Sequence, residues 1–318
     1  MAVATTPRRS VAADPNGARI DKLNVASARR VVDPDVDLQG AVGDGQVLPD
    51  ELLSVAGLGL GLTREQLVTL SREELAAIVD NGLRFEAVLM AGFSFLIAGT
   101  RDLTDPRVVY ALHEVGEETR HSRLFSRLLS QLRPTAVNPM TDGKASRVLQ
   151  RVERLSIGQI TRRPALLFTM VLGGEEIPDL FQKLAGEHEQ TDPFVRAVNR
   201  YHRQEEARHL AYARTMLAEA WADAGPLDRA LVRHVAPRII GQMFDFLVHP
   251  GVYETVGLNG WATWKAVRVA PKRVAIRHEA TRPILEVLLD NGILQPGRIP
   301  KAWQDLTGVN AKGKPAAA

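Results

Sequence analysis

From about Ser71 onward, apolar residues recur at intervals of three and four, the pattern of helices that bury one face. Ser71-Arg72-Glu73-Glu74 has the form of a capping box and predicts a long helix running to about Gly99. Thr104-Asp105-Pro106 places a capping Asp before a proline at the first helical position, which predicts a second helix ending near Pro134. Pro164 opens a third helix, to about Gly186, and Thr191-Asp192-Pro193 opens a fourth that stops at Gly225-Pro226. The stretch 134–162 reads as a loop or short helical segment, and further helices are expected over roughly 227–248 and 278–290. No β-branched alternation is long enough for a sheet. The expected fold is all-α, with a four-helix core and helices added after it.

Around this core the pattern weakens. Residues 1–60 are rich in Ala, Val, Gly, Pro and Asp without sustained periodicity, and read as an irregular N-terminal arm draped over the body. Residues 61–310 form a single helical domain on this reading, and 311–318 a flexible tail. The Gly57-Leu-Gly59-Leu-Gly61-Leu62 stretch lacks the third glycine of a dinucleotide fingerprint and has no strand before it, so a turn is expected there.

Composition narrows the function. The 318 residues include no cysteine, which excludes disulfide scaffolds, thiol nucleophiles and thiolate-held metal clusters. Forty Lys and Arg against 37 Asp and Glu leave a net charge of +3, and only 5% of residues are aromatic. That balance does not describe a nucleic-acid binder. No apolar stretch follows Arg8 and Arg9, and the uncharged run 87–100 is too short to span a bilayer, so a cytoplasmic protein without membrane contact is expected.

The second and fourth helices echo each other. Both begin Thr-Asp-Pro and both carry E-E-x-R-H, as Glu117-Glu118-Thr119-Arg120-His121 and Glu205-Glu206-Ala207-Arg208-His209. Glu118 lies 13 residues after its capping Asp and Glu206 lies 14 after its own, so the motifs stand at nearly the same height. Residues three apart share a helix face, so Glu118 with His121 and Glu206 with His209 can each grip a metal ion. Two such pairs, with one Glu from each of two other helices, make the carboxylate-bridged dinuclear site of four-helix bundles. Glu86 supplies the first helix's carboxylate within an apolar stripe of Val79, Leu83, Leu89, Met90 and Phe93. Glu175 or Glu176 supplies the third helix's, and Glu175 is preferred because its stripe includes Phe168, Val171 and Leu172. The pairs Glu117–His121 and Glu205–His209 can also meet on a helix face, although the symmetric Glu-x-x-His register is favoured. Four carboxylates neutralise two divalent ions, and oxygen and imidazole donors suit iron or manganese.

His202 stands four residues before Glu206 and on the same face, whereas the matching position before Glu118 is Glu114. The repeat is therefore asymmetric there. On spacing alone His202 is either a further ligand or a histidine hydrogen-bonded to Glu205 or Glu206. Gly82, Gly116, Gly173 and Gly174 lie within a turn of these residues, where they either leave room for an aromatic ring or allow close helix packing. Arg268, Arg273 and Arg277 are candidates to clamp a substrate carboxylate.

Glu86, Glu118-x-x-His121, Glu175 and above all His202-x-x-x-Glu206-x-x-His209 resemble the AurF-type di-iron N-oxygenases, the p-aminobenzoate N-oxygenase family, over roughly residues 70–215. The resemblance implies a ferritin-like bundle. It implies iron-ligand roles for Glu86, Glu118, His121, Glu175, His202, Glu206 and His209, with His202 the distinguishing third histidine. It also implies dioxygen-dependent oxidation of an aryl amine to the hydroxylamine and the nitro compound, by a homodimer. The alternatives are an acyl-carrier-protein fatty acid desaturase, whose pattern has four Glu and two His, and a non-catalytic iron-binding protein. A ribonucleotide reductase small subunit fits less well, since none of the four tyrosines carries a radical-site signature. With no cysteine and no nicotinamide or flavin fingerprint, electrons are expected from a separate reductase or other external donor.

Overall fold

The computed structural model describes residues 14–29, 31–142, 151, 155 and 157–316. Twelve α-helices are named here: α1 Pro15–Arg29, α2 Pro34–Asp37, α3 Arg64–Gly99, α4 Pro106–Leu132, α5 Pro164–Glu187, α6 Pro193–Ala222, α7 Pro226–Ala230, α8 Ala236–Phe246, α9 Pro250–Glu254, α10 Gly260–Val269, α11 Pro271–Asp290 and α12 Lys301–Thr307. A π-helical turn, Leu231–Val235, joins α7 to α8. Among the described residues there is no strand, only an isolated bridge between Val309 and Pro315. The chain is all-α with a ferritin-like bundle, as expected.

The bundle consists of two helix pairs, α3 against α4 and α5 against α6, with α11 packed on α5 and α1 on α4. The two T-D-P starts behave as read. Asp105 accepts from the Arg107 amide, Asp192 accepts from the Phe194 and Val195 amides, and proline takes the first helical position each time.

Two apolar clusters fill the interior. One holds Leu89, Phe93, Tyr110, Phe168, Leu210 and Tyr212, and the other Leu70, Val79, Leu124, Leu128, Val195 and Val198. On α3, α4 and α6 the residues of the two clusters lie on either side of a polar stretch: around Glu86, from Glu114 to His121, and from His202 to His209. The acidic and histidine side chains thus form one layer across the bundle, walled above and below by hydrocarbon.

Several expected boundaries move. α3 begins at Arg64, where Thr63 and Gln66 form a reciprocal capping box. Ser71, expected to cap, lies inside the helix; its Oγ donates to the Val68 carbonyl and accepts from the Val47 amide, tying down the arm. Both sites match the same sequence form, and only tertiary contact separates them. The arm is not irregular throughout. Asp14-Pro15 and Asp33-Pro34 open α1 and α2 with the same Asp-Pro start, and Ile20 of α1 is fully buried.

Downstream, α11 begins at Pro271 rather than 278, and α10 and α12 were not expected from the pattern, being only ten and seven residues long. The tail folds back over 311–316, where Gly297 donates to the Ala311 carbonyl and Asn310 to that of Lys314. Residues 317–318, Met1 to Ala13 and, within the 134–162 connection, 143–150, 152–154 and 156 lie outside the described residues; of the rest of that connection 157–160 are helical. Gly57, Gly59 and Gly61 all adopt positive φ, 89°, 64° and 62°, which side chains rarely allow, so this stretch is a turn.

Candidate metal centre

The seven residues picked out in sequence converge. Glu86, Glu118, His121, Glu175, His202, Glu206 and His209 are each at most 2% exposed. Glu86, His121, His202 and Glu206 bring one donor atom each within 4.8 Å of one another, and Glu86, Glu118 and Glu175 do the same. Helix register explains this. The i,i+3 pairs face inward together, with His121 Nδ1 3.0 Å from Glu118 and 3.2 Å from Glu206, and His209 Nδ1 2.9 Å from Glu206 and 3.4 Å from Glu118. His202 Nε2 is 3.2 Å from Glu86 and 3.6 Å from Glu206, and its other nitrogen meets the Gln182 amide group. Phe125 stacks on the His202 ring at 4.9 Å, fixing its plane.

The geometry separates the doublet glutamates. Glu117 and Glu205 reach the outer sides of the opposite histidines: His209 Nε2 lies 2.7 Å from Glu117, and His121 Nε2 3.1 Å from Glu205. Each copy of the motif thus contributes a Glu-x-x-His pair inward and a carboxylate that orients the histidine of the other copy. Arg208 binds both outer carboxylates, at 3.0 Å and 3.3 Å, and Arg120 lies 3.8 Å and 3.6 Å from them. Tyr201 donates to Glu205 at 2.9 Å, and Ser27 of α1 receives the Arg208 Nε–H. Sequence reasoning missed these supports, although the repeated Glu doublet and Arg of E-E-x-R-H were the signal for them.

The side chains fit a pair of divalent ions. Burial first, then the neighbouring Glu86 charge, push Glu118 well above the usual carboxylate range; burial and then the Glu206 and Glu86 charges do the same to Glu175. Burial opposes ionisation of Glu86 and Glu206 too. Hydrogen bonds to Glu118 and His202 outweigh it for Glu86, and the charges of His209 and His202 outweigh it for Glu206, so both stay low. Burial would lower His121, but hydrogen bonds to Glu205 and Glu206 hold it up at about 9. These carboxylates compete for too little positive charge. Glu86 Oε2 and Glu175 Oε1 are buried and accept no hydrogen bond from a nitrogen or hydroxyl donor. Cations would supply the missing charge, displacing protons from the inner faces of these side chains. An outer carboxylate holding Nε2–H leaves Nδ1 as the donor that faces the layer.

Other candidates resolve differently. Glu176 forms an ion pair with Arg214 and does not join the inner groups. The space beside three of the four glycines is filled: a Cβ on Gly174 would lie 1.7 Å from Phe85, on Gly173 2.6 Å from Ile240, and on Gly82 3.1 Å from Phe125. These glycines serve close packing, while Gly116 has open space beside it. Arg268 pairs with Asp245 at 2.7 Å, Arg277 lies 3.8 Å from the same carboxylate, and Arg273 is buried over the Phe244 ring. A surface groove of about 530 Å³ runs along the glycine turn and Lys272, and none of its lining residues belongs to the carboxylate layer.

The chain is 28% identical over 194 residues to the uncharacterized protein Rv0885 of Mycobacterium tuberculosis and, equally, to the uncharacterized protein Mb0909 of Mycobacterium bovis. Those matches cover 59% of this chain and 54% of each relative, so the chain spans about half the length of the curated relatives it matches. The model of the p-aminobenzoate N-oxygenase AurF family matches residues 16–292. With that match spanning most of the described helices, the chain belongs to the AurF family of di-iron oxygenases.

Proposed function

We propose that the protein is a di-iron oxygenase that uses dioxygen to oxidise an aryl amine at nitrogen, through the hydroxylamine to the nitro compound. The observation that carries this reading is His202, buried and turned toward Glu86 and Glu206. That contact supports the pattern of four Glu and three His over the desaturase pattern of four Glu and two His. On this reading Glu86, Glu118, His121, Glu175, His202, Glu206 and His209 hold the ions. When bound, the metal pair binds and reduces dioxygen.

The chain's own groups do the rest. Glu117 and Glu205 hold the outer protons of His209 and His121, which keeps each inner nitrogen oriented toward the layer. Arg120 and Arg208 balance these outer carboxylates, and the two apolar clusters exclude water from above and below. Conversion of the amine to the hydroxylamine consumes one dioxygen, two electrons and two protons, and releases one water. The electrons come from a separate reductase. The working state is a cytoplasmic homodimer. Phe95 near the end of α3, Leu103 in the α3–α4 connection and Leu112 of α4 are each at least half exposed, and α3 contains a stretch apolar enough to cross a membrane of which only 22% is buried. A second copy covering this face accounts for both features.

The test is anaerobic loading with ferrous iron followed by oxygen, with reductant and a panel of aryl amines including p-aminobenzoate. About two irons per chain, an oxygen-dependent visible absorption and N-oxidised product are expected. Protein that binds no metal on reconstitution would overturn the whole reading. Two bound irons without N-oxidation across the panel would overturn the substrate class.

A further inference from the structure

The E-E-x-R-H repeat has a second level of symmetry. His202 stands four residues before Glu206, and Glu114 stands four before Glu118. One helical turn separates each from its motif, so both project toward the layer. The structure bears out the correspondence. Beside the group of Glu86, His121, His202 and Glu206, a second group of Glu114, Glu118 and His209 also brings one donor atom each within 4.8 Å of one another. The two halves pair Glu86 with Glu175, His121 with His209 and His202 with Glu114.

Glu114 is 1% exposed, and neither carboxylate oxygen has a hydrogen-bond partner. The charges acting most strongly on it are those of His209, Glu206, Glu117 and Glu86, three of them negative. A buried carboxyl group with no donor to either oxygen, set among other carboxylates, has no stabilising role in the packing. A cation beside Glu118 and His209 would give it one.

We propose that Glu114 is an eighth ligand, serving the metal position held by Glu118, Glu175 and His209; this rests on the dinuclear reading above. The two positions then differ in kind. One has a neutral imidazole, His202, where the other has a carboxylate, Glu114. The ion on the Glu114 side carries more negative charge around it, and the two ions are chemically distinguishable.

The experiment compares the wild type with Glu114→Gln, which keeps the shape and removes the charge, and with Glu114→Asp. Each is titrated anaerobically with ⁵⁷Fe(II) against a competing chelator, and the loaded proteins are read by Mössbauer spectroscopy. In the wild type, two ions bind and give two different quadrupole doublets. In E114Q one ion is expected to bind at least about 10-fold more weakly, with only one doublet shifted, and E114D to recover part of the loss. Thermal melts separate this from a structural role. Metal-free E114Q should melt no lower than the wild type, because an unpaired buried carboxylate has been removed, yet it should gain less on adding iron. Unchanged affinity with both doublets intact would overturn the proposal, as would a metal-free E114Q that fails to fold. A wild type that binds fewer than two ions would overturn the dinuclear reading itself, whatever the variant does.

Discussion

The outer carboxylates offer the sharpest test of how the layer is held. In Glu117→Gln the shape is kept and the charge is lost from a side chain only 3% exposed, 2.7 Å from His209 Nε2. A buried hydrogen bond with a charged partner contributes about 1.5–3 kcal/mol. Loss of a carboxylate behind a metal-binding histidine lowers metal affinity by about 10- to 100-fold, which corresponds to about 1.4–2.8 kcal/mol. The two routes agree, so the expected loss for E117Q lies in that range. Glu205→Gln acts on His121 through a longer contact of 3.1 Å and should fall at the lower end. Arg208 keeps its second partner, Glu205, at 3.3 Å in E117Q, so helical content should be unchanged by circular dichroism. The assay is chelator competition with ferrous iron under anaerobic conditions, read as the dissociation constant of the weaker ion. An E117Q affinity within two-fold of wild type would refute the idea that the doublet glutamates orient the histidines.

Three further outcomes are expected. His202→Ala should fold and keep part of its iron through the remaining residues, but alter the oxygen-dependent absorption and lose amine oxidation; an unchanged spectrum with activity retained would return the acyl desaturase reading to first place. Burial pushes Glu74 up to about 7 even though Ser54 donates to it twice, from the backbone amide at 2.8 Å and the hydroxyl at 2.6 Å. Its folded-state pKa is thus above the unfolded value, so the native state holds the proton more tightly, and that stabilisation is full below about pH 4.5 and lost as pH rises through 7. Relative to Glu74→Gln, the wild type should lose about 3 kcal/mol across that window in urea unfolding, and a pH-independent difference would refute the assignment. Gly174→Ala places a methyl 1.7 Å from the Phe85 ring and should cost about 1–3 kcal/mol in the same assay; unchanged stability would mean that the contact relaxes freely.

The helices of the bundle, their Asp-Pro starts and the inward Glu-x-x-His pairs were legible from local information, because capping and 3.6-residue periodicity act within a few residues. The isolated acids Glu86 and Glu175 were legible for a related reason: a carboxylate in an apolar stripe has to find a partner. Local rules could not choose between two capping boxes of the same form, and Thr63 opens the helix while the Ser71 hydroxyl binds the arm at Val47. Nor could they assign Glu117 and Glu205, whose partners are histidines 92 and 84 residues away on the facing helix. Spacing alone left His202 undecided between ligand and support, and left the glycines undecided between substrate room and close packing. The tertiary structure turned His202 toward Glu86 and filled the space beside Gly82, Gly173 and Gly174 with Phe125, Ile240 and Phe85. Each of these outcomes depends on which side chain arrives from another helix, and that is set by how the helices pack, not by the order of residues along any one of them.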